Sequence, residues 1–435
     1  MTFEEARTKL IERQDFVKKD GLARVYACLA ALGNPQRLKT VHVTGTNGKG
    51  SVCALFEAAA RAAGLKTGLF ISPHLVSFTE RIQLGGRPVS EEKFASLFDE
   101  VFKAGPDLGF FELLTCMAFL CFDREKTDLA VVEVGIGGRW DTTNVLPKPE
   151  LAVITSVDYD HKTYLGGTLP EIAAQKAGII KEGGICLAPI LPAEAMTEIS
   201  KEAAGKNAQC HFFAPAFEII SRDWENNRMV LRHKKTGESY PFGILGEPQA
   251  INATLVWEGL EIMRGLGWPI TRAHAAAGFA AARWPGRFQA VRGGAAFGKT
   301  IFIVDGAHNE EAARAFSRTW RASPFAGRPA VFVVGILRDK EWRRILEILA
   351  PLAGKFIFTR PDSQRAADPC ALADELSAIR PDAEVEVQQD IRAALLAASG
   401  AGTAAVLGSF YIAGAALEIF GEAGGTAAAV QETLC

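Results

Sequence analysis

The sequence predicts an α/β protein of two domains, each a mostly parallel sheet covered by helices. Three observations predict it. Apolar, β-branched runs of strand length alternate with helix-length stretches, the pattern of parallel strands joined by helical crossovers. The chain has 435 residues, too many for one ordinary core. A Gly- and Arg-rich joint with a proline, ARWPGRFQAVRGGAAFGKT, separates two such alternating series.

The first clear unit is the strand LKTVHVT, the turn Gly45–Gly50 and the helix SVCALFEAAARAAG, which ends at Gly64; TGLFI follows as a short strand. Phe111 to Phe122 reads as a buried helix. DLAVVEVG and ELAVITSV are continuous apolar strands, as expected where both faces of a sheet are covered. From about Ile185 to Gly243 the pattern is mixed, with short strands around Cys210–Phe213 and Met229–His233, and helices resume near Gln249. A second βα series runs through TIFIVDG, AVFVVG, KFIFT, AEVEV and TAAVLG. The boundary falls near Arg287–Val291, giving a P-loop-type domain over 1–287 and a smaller Rossmann-like α/β domain over 288–435. No internal repeat of solenoid period is present, and low complexity is confined to Gly424–Ala429.

Composition excludes several classes. With 48% hydrophobic and 23% charged residues the chain has the balance of a globular enzyme, and a net charge of −2 gives nucleic acid or an anionic membrane nothing global to bind. The N-terminus, MTFEEARTKLIERQ, carries both signs of charge and no signal-peptide core, and no apolar run is long enough for a bilayer. Eight cysteines are scattered without a CxxC pair, which reads as reduced thiols of a cytoplasmic protein.

The strongest chemical signal is T-G-T-N-G-K-G-S, Thr44 to Ser51, between a strand and a helix. Glycines let successive N–H groups turn toward one anion; the helix N-terminus adds partial positive charge and Lys49 a full one. Thr46, Asn47, Gly48, Lys49, Gly50 and Ser51 are therefore the candidate phosphate cradle, with the Ser51 hydroxyl within reach of a phosphate-bound metal. The loop departs from the common P-loop: Val43 stands where the first glycine belongs, and Gly50 intervenes between Lys49 and Ser51.

Other candidates are open on their residues alone. Glu133 ends an apolar strand, where a carboxylate either holds Mg²⁺ or caps the strand. In DGAHN, Asp305 can accept from ribose hydroxyls and His308 can donate to a phosphate, or Asp305 is an ordinary helix cap. Phe110 and Phe111 at a helix start favour a core role. His161 reads as structural or exposed, with Asp158 and Asp160 the likelier metal ligands on hardness, and Lys176 on a helix reads as a solvated charge.

The loop TGTNGKGS resembles the nucleotide loop of the Mur ligase superfamily, and VHVTGTNGKGSV followed by FISPHLVSFTERI is similar to the folylpolyglutamate synthase/dihydrofolate synthase family, nearly end to end. The resemblance implies ATP as substrate and two Mg²⁺ sites: Ser72 joining Ser51 and Glu133 at the first, and His161 at the second. It implies that Lys176, in QKAGIIK, is carbamylated and that Asn252 reads adenine. Arg287 would reach the ATP phosphates, for which a planar, permanently charged guanidinium is suited. A bound monovalent cation is also implied. Phe110, Phe111, Glu112, Trp140, Asp141 and Thr142 would line a dihydropteroate pocket, where aromatics stack on a flat pterin and a carboxylate takes its N–H donors. The family commonly has a small aliphatic residue where Trp140 stands.

The activity so implied is ATP-dependent ligation of L-glutamate to dihydropteroate or a folate through an acyl phosphate, by a monomer needing no nucleic acid or membrane. Lys49, Lys176 and, more weakly, His308 would be the catalytic side chains. A UDP-muramoyl peptide ligase would share the chemistry, but its sugar-binding domain has no room before a loop that starts only about forty residues in. A non-ligase P-loop protein would not need the second domain.

Overall fold

The computed structural model describes residues 1–13 and 21–421, so the Gly424–Ala429 stretch lies outside the described residues. The chain divides into two compact units: Met1–Glu218 with His233–Tyr240 and Ala250–Ala282, and Ile219–Arg232 with Pro241–Gln249 and Arg283–Cys435.

In the first unit the strands are β1 (Thr40–Thr44), β2 (Thr67–Phe70), β3 (Ile82–Leu84), β4 (Arg87–Pro88), β5 (Leu129–Glu133), β6 (Leu151–Ile154), β7 (Ile185–Pro189) and β8 (Gln209–Phe213). Among the described residues they form an eight-stranded sheet in the order β4-β3-β2-β5-β1-β6-β7-β8. From β2 through β8 every neighbouring pair is parallel, and only β3 and β4 run antiparallel at one edge. The continuous apolar strands occupy the middle: β1, β5 and β6 are buried at every residue, as sequences covered on both faces must be.

One face carries two apolar clusters. Phe70, Ala130 and Val132 pack beneath the helices Glu91–Ala104 and Phe110–Arg124; Ala152, Ile154, Cys186 and Ala188 pack beneath Leu169–Ala177 and Ala193–Gly205. The helix Phe110–Arg124 is buried from Leu113 to Phe122 without a break, which is why its sequence shows no polar stripe. The helix Lys49–Ala62 packs against β5, β2 and the helix Arg272–Ala281.

Strands β9 (Phe217–Asp223), β10 (Arg228–His233) and β11 (Ser239–Phe242) form a three-stranded sheet in the order β11-β10-β9. The second unit's sheet is built from β12 (Gln289–Arg292), β13 (Ile301–Val304), β14 (Val331–Val334), β15 (Lys355–Thr359), β16 (Glu384–Gln388) and β17 (Thr403–Leu407). Its order is β12-β13-β17-β14-β15-β16, parallel except for the β12/β13 edge, and helices connect the parallel strands. Both units are thus α/β with mostly parallel sheets, the second smaller. Among the described residues no helix is long and apolar enough to cross a membrane.

Candidate active site

β1 ends at Thr44, and the chain turns through Gly45–Gly48 into the helix Lys49–Ala62. Gly45 and Gly48 have φ of +155° and +87°. A Cβ on Gly45 would lie 1.9 Å from the Thr155 hydroxyl, and one on Gly48 would lie 2.9 Å from Asn252 Oδ1. Both glycines are thus required by backbone conformation and by close neighbours. The predicted adenine residue Asn252, buried on the helix Gln249–Gly265, rests against the phosphate loop itself.

The loop is tied to the segment after β6. Thr46 N–H donates to Ser156 O (3.1 Å) and its hydroxyl to Asp158 O (3.0 Å), while Asn47 N–H donates to Ser156 Oγ (2.8 Å). Thr155 and Ser156 hydroxyls both donate to Asn47 O, at 2.6 and 3.0 Å. Thr46 and Asn47 therefore spend these groups holding the loop in shape. The helix begins with Gly48 as its cap, so the N–H groups of Lys49, Gly50 and Ser51 precede the first intrahelical bond, Val52 N–H to Gly48 O at 3.0 Å. No acidic residue occupies the first turn. The Lys49 ammonium lies back over the loop, donating to Gly45 O (3.0 Å) and Thr46 O (3.3 Å). The result is a helix N-terminus and a cation at one place, an anion site.

Glu133 stands at the end of β5, its Cα paired with Val43 of β1, and is 4% exposed. Ser72 lies just past β2, and its N–H donates to Glu133 Oε2 at 3.2 Å. Since β5 lies between β2 and β1, the structure brings Ser72 and Glu133 together at the strand ends beside the phosphate loop. The buried Cys53 thiol, pushed up chiefly by burial, feels both the Glu133 and Lys49 charges. Among the described residues no group of three or more His, Cys, Asp or Glu is placed to hold a metal unaided. The oxygen donors Ser51, Ser72 and Glu133 suit a hard cation that completes its shell with phosphate oxygens and water.

Beyond β6, His161 adopts φ of +50° and Asp160 Oδ1 accepts its N–H at 2.8 Å. Lys176 sits in the helix Leu169–Ala177, whose start is fixed by a capping box between Thr168 and Glu171. The helix turns Lys176 inward: it is 2% exposed. Burial, reinforced by the Lys49 charge and opposed by Asp160, brings its ammonium down to about 7. The structure thus gathers Lys49, Asp160 and Lys176 into one electrostatic neighbourhood, which no reading of a solvated helical lysine anticipates.

The aromatic pair is half-buried against the first apolar cluster. Phe111 faces Phe70 at 5.7 Å between ring centroids, and Phe110 meets Phe78 at 6.0 Å. Arg81 lies over the Phe110 ring at 5.2 Å, and its Nε donates to His74 Nδ1 at 2.8 Å. Burial and the Arg81 cation hold His74 down to about 3, so it accepts as a neutral ring. Glu112 accepts from Gly109 N–H (2.7 Å) and pairs with Arg24 (3.1 Å). Thr142 shares a hydroxyl bond with Thr115 at 2.7 Å. Asp141 is buried, and its oxygens accept from Thr143 N–H (3.0 Å), the Thr143 hydroxyl (2.5 Å) and Ile136 N–H (3.0 Å). Trp140 instead stands out, 67% exposed. Sequence reasoning missed Arg81, His74 and Arg24. Arg81 and His74 lie within FISPHLVSFTERI, but only the fold brings Arg81 onto Phe110.

In the second unit, Asp305 follows β13 and is half-buried. Burial raises its carboxyl, opposed by Arg287 and by N–H bonds from Phe288 and Ala307, each 2.8 Å. The helix cap is Asn309, not Asp305. Arg287 lies over the Phe410 ring at 4.8 Å, and His308 packs on the same ring at 5.1 Å. His308 Nδ1 is 2.8 Å from Gly306 O, and a carbonyl only accepts, so Nδ1 carries the proton. A neutral His308 then presents an acceptor at Nε2, and donating to a phosphate from Nε2 requires the imidazolium. Phe410, which organises both side chains, carried no signal in sequence.

Comparison with known proteins finds matches over most of the chain. Residues 43–257 match the Mur ligase middle domain and residues 286–409 the Mur ligase glutamate ligase domain. A dihydrofolate synthase/folylpolyglutamate synthase of Mycobacterium tuberculosis is 35% identical over 379 residues, covering 81% of this chain and 76% of its own. The protein of that name from Bacillus subtilis is 32% identical over 84% of this chain and 86% of its own. Among solved structures, M. tuberculosis folylpolyglutamate synthase complexed with ADP and AMPPCP superposes with a TM-score of 0.85 at 32% identity, covering 96% of this chain and 98% of that one. E. coli FolC in complex with DHPP and ADP gives 0.82 at 28% identity, with the same coverage.

Proposed function

Because the chain belongs to the folylpolyglutamate synthase/dihydrofolate synthase family of Mur ligases, we propose that it joins L-glutamate to the carboxylate of dihydropteroate or of a folate. It is an ATP-dependent acid–amino-acid ligase. The observation that carries the reading is Lys176, a buried lysine lowered to about 7 beside Lys49 and Asp160. A solvated lysine is protonated near pH 7, whereas a buried lysine lowered to about 7 is partly neutral there and can add to carbon dioxide, releasing a proton and becoming a carboxylate.

The chemistry follows from the charges. A substrate carboxylate oxygen attacks the γ-phosphorus of ATP and ADP leaves. The amine of glutamate then attacks the acyl carbon and phosphate departs, which a bare carboxylate could not achieve because oxide is a poor leaving group. Lys49 and the N–H groups at the helix start hold the negative charge of the transferring phosphoryl group. Ser51, Ser72 and Glu133 would hold one Mg²⁺, and His161 with the carbamylated Lys176 a second; when bound, the ions would neutralise phosphoryl charge. Phe110, Phe111, Arg81 and the 140–144 loop supply an aromatic and cationic wall suited to a pterin and its anionic tail. Arg287, Asp305 and His308, which the family resemblance singles out, would be the nucleotide groups of the second unit.

The test supplies ATP, Mg²⁺ and labelled glutamate with dihydropteroate, with tetrahydrofolate, or with a UDP-muramoyl peptide. Label should enter a pteroate or folate product, and the one extended names the activity. Label entering only the muramoyl peptide, or ATP turnover without ligation, would overturn the reading.

A further inference from the structure

His42 is the middle residue of β1, two positions before the strand's end. It pairs in register with Val132 of β5 and Ala152 of β6, and in-register neighbours of a parallel sheet point to one face. Val132 belongs to one apolar cluster and Ala152 to the other, so His42 occupies the seam between the two cores. It is 0% exposed. An imidazole there is unfavourable unless its polar atoms are bonded.

One nitrogen is bonded. His42 Nε2 lies 2.8 Å from Thr143 Oγ1, and that hydroxyl lies 2.5 Å from Asp141 Oδ1. Nδ1 has no hydrogen-bonding partner among the described residues. Both Asp141 oxygens already accept backbone N–H groups, so Thr143 gives its one proton to Asp141 and its oxygen accepts from Nε2–H. The orphaned Nδ1 requires the same tautomer, because a buried N–H without an acceptor is the worse defect. Burial, with the Lys181 cation, lowers His42 to about 3, so the ring is neutral and has a single proton to place. Asp141, raised by burial, is the hub: its other bonds from Thr143 N–H and Ile136 N–H, both 3.0 Å, close the loop upon itself. Lys181 holds the far end, donating to Asn144 O at 2.8 Å.

We propose that His42 is a positioning residue which, through Nε2–H, Thr143 and Asp141, fixes the 135–144 loop to the strand that also carries the phosphate loop. Nucleotide and pteroate are then both registered from β1. The kinetic part rests on the proposed function; the tautomer does not.

The experiment uses the full chain with two substitutions. His42→Gln places an amide N–H near Nε2, and His42→Leu keeps apolar volume without a donor. With ¹⁵N-histidine, NMR should show His42 protonated at Nε2 and bare at Nδ1 from pH 5 to 9. In ligation assays His42→Leu should raise the KM for the pteroate substrate about tenfold, as loss of one buried hydrogen bond implies, with the KM for ATP within about twofold. His42→Gln should recover most of that loss. A proton at Nδ1, equal rises in both KM values, or no recovery with glutamine would overturn the proposal. If His42→Leu does not fold, the tautomer and the glutamine variant decide it. Absence of pteroate-dependent turnover in the unsubstituted protein would refute the assigned activity instead, and the tautomer would still decide the role of His42.

Discussion

Replacing Lys176 by methionine should make the protein more stable at neutral and acid pH. The lysine's proton affinity falls from 10.5 in the open chain to about 7 when buried. At about 1.4 kcal/mol for each tenfold change, this corresponds to roughly 5 kcal/mol at most. The sign follows from proton counting. Between the two values the unfolded chain holds a proton that the folded chain lacks, so stability rises with pH across about 7 to 10.5 and the full penalty applies below 7. Methionine fills similar space without a charge, so Lys176→Met should gain up to that amount at pH 6 and progressively less toward pH 10. Urea unfolding of both proteins at several pH values, in buffers freed of carbon dioxide, measures the difference; subtraction cancels other buried groups such as Lys181, itself lowered to about 8. A difference that does not change between pH 6 and 10 would refute the burial argument. The same substitution should abolish ligase turnover, and ¹³C-bicarbonate should give a carbamate signal in the parent protein that Lys176→Met lacks.

Three other substitutions test separate parts. Lys49→Ala should lower ATP turnover at least about a hundredfold while leaving the circular dichroism spectrum unchanged, because among the described residues its ammonium hydrogen-bonds to carbonyls of its own loop. Gly48→Ala must adopt φ of +87° with its Cβ 2.9 Å from Asn252 Oδ1, so it should destabilise by about 1–2 kcal/mol and weaken ADP binding in calorimetry. Arg81→Leu removes the guanidinium from Phe110 and the donor from His74, and should raise the KM for the pteroate substrate with little change for ATP; equal changes in both would place Arg81 outside the pteroate wall.

Much of the fold was legible because its signals are local. The strands β1, β5 and β6 are apolar without interruption since both faces are covered, and the order of strand, glycine loop, lysine and helix is contiguous in sequence. What escaped depends on distant residues. The segments 219–232 and 241–249 group with the second unit through packing, for example Trp224 against Phe288 and Phe325, and a single sequence holds no mark of that. Lys176 reads as a solvated helical lysine, and only the resemblance singled it out; its burial comes from the helix's inward face. Asn252 touches Gly48 across two hundred residues of chain. His42 was invisible inside an apolar strand because its partner, Thr143, lies a hundred and one positions away. Trp140, by contrast, stands exposed in the structure, so the fold has room for its large ring there.

The measurement closest to the central claim is inorganic phosphate release by the purified protein with ATP, Mg²⁺, L-glutamate and dihydropteroate or tetrahydrofolate. The account predicts one phosphate per amide bond formed, no release when either glutamate or the pteroate is omitted, and loss of the signal in Lys49→Ala. Release that continues without glutamate, or amide formation undiminished in Lys49→Ala, would contradict it.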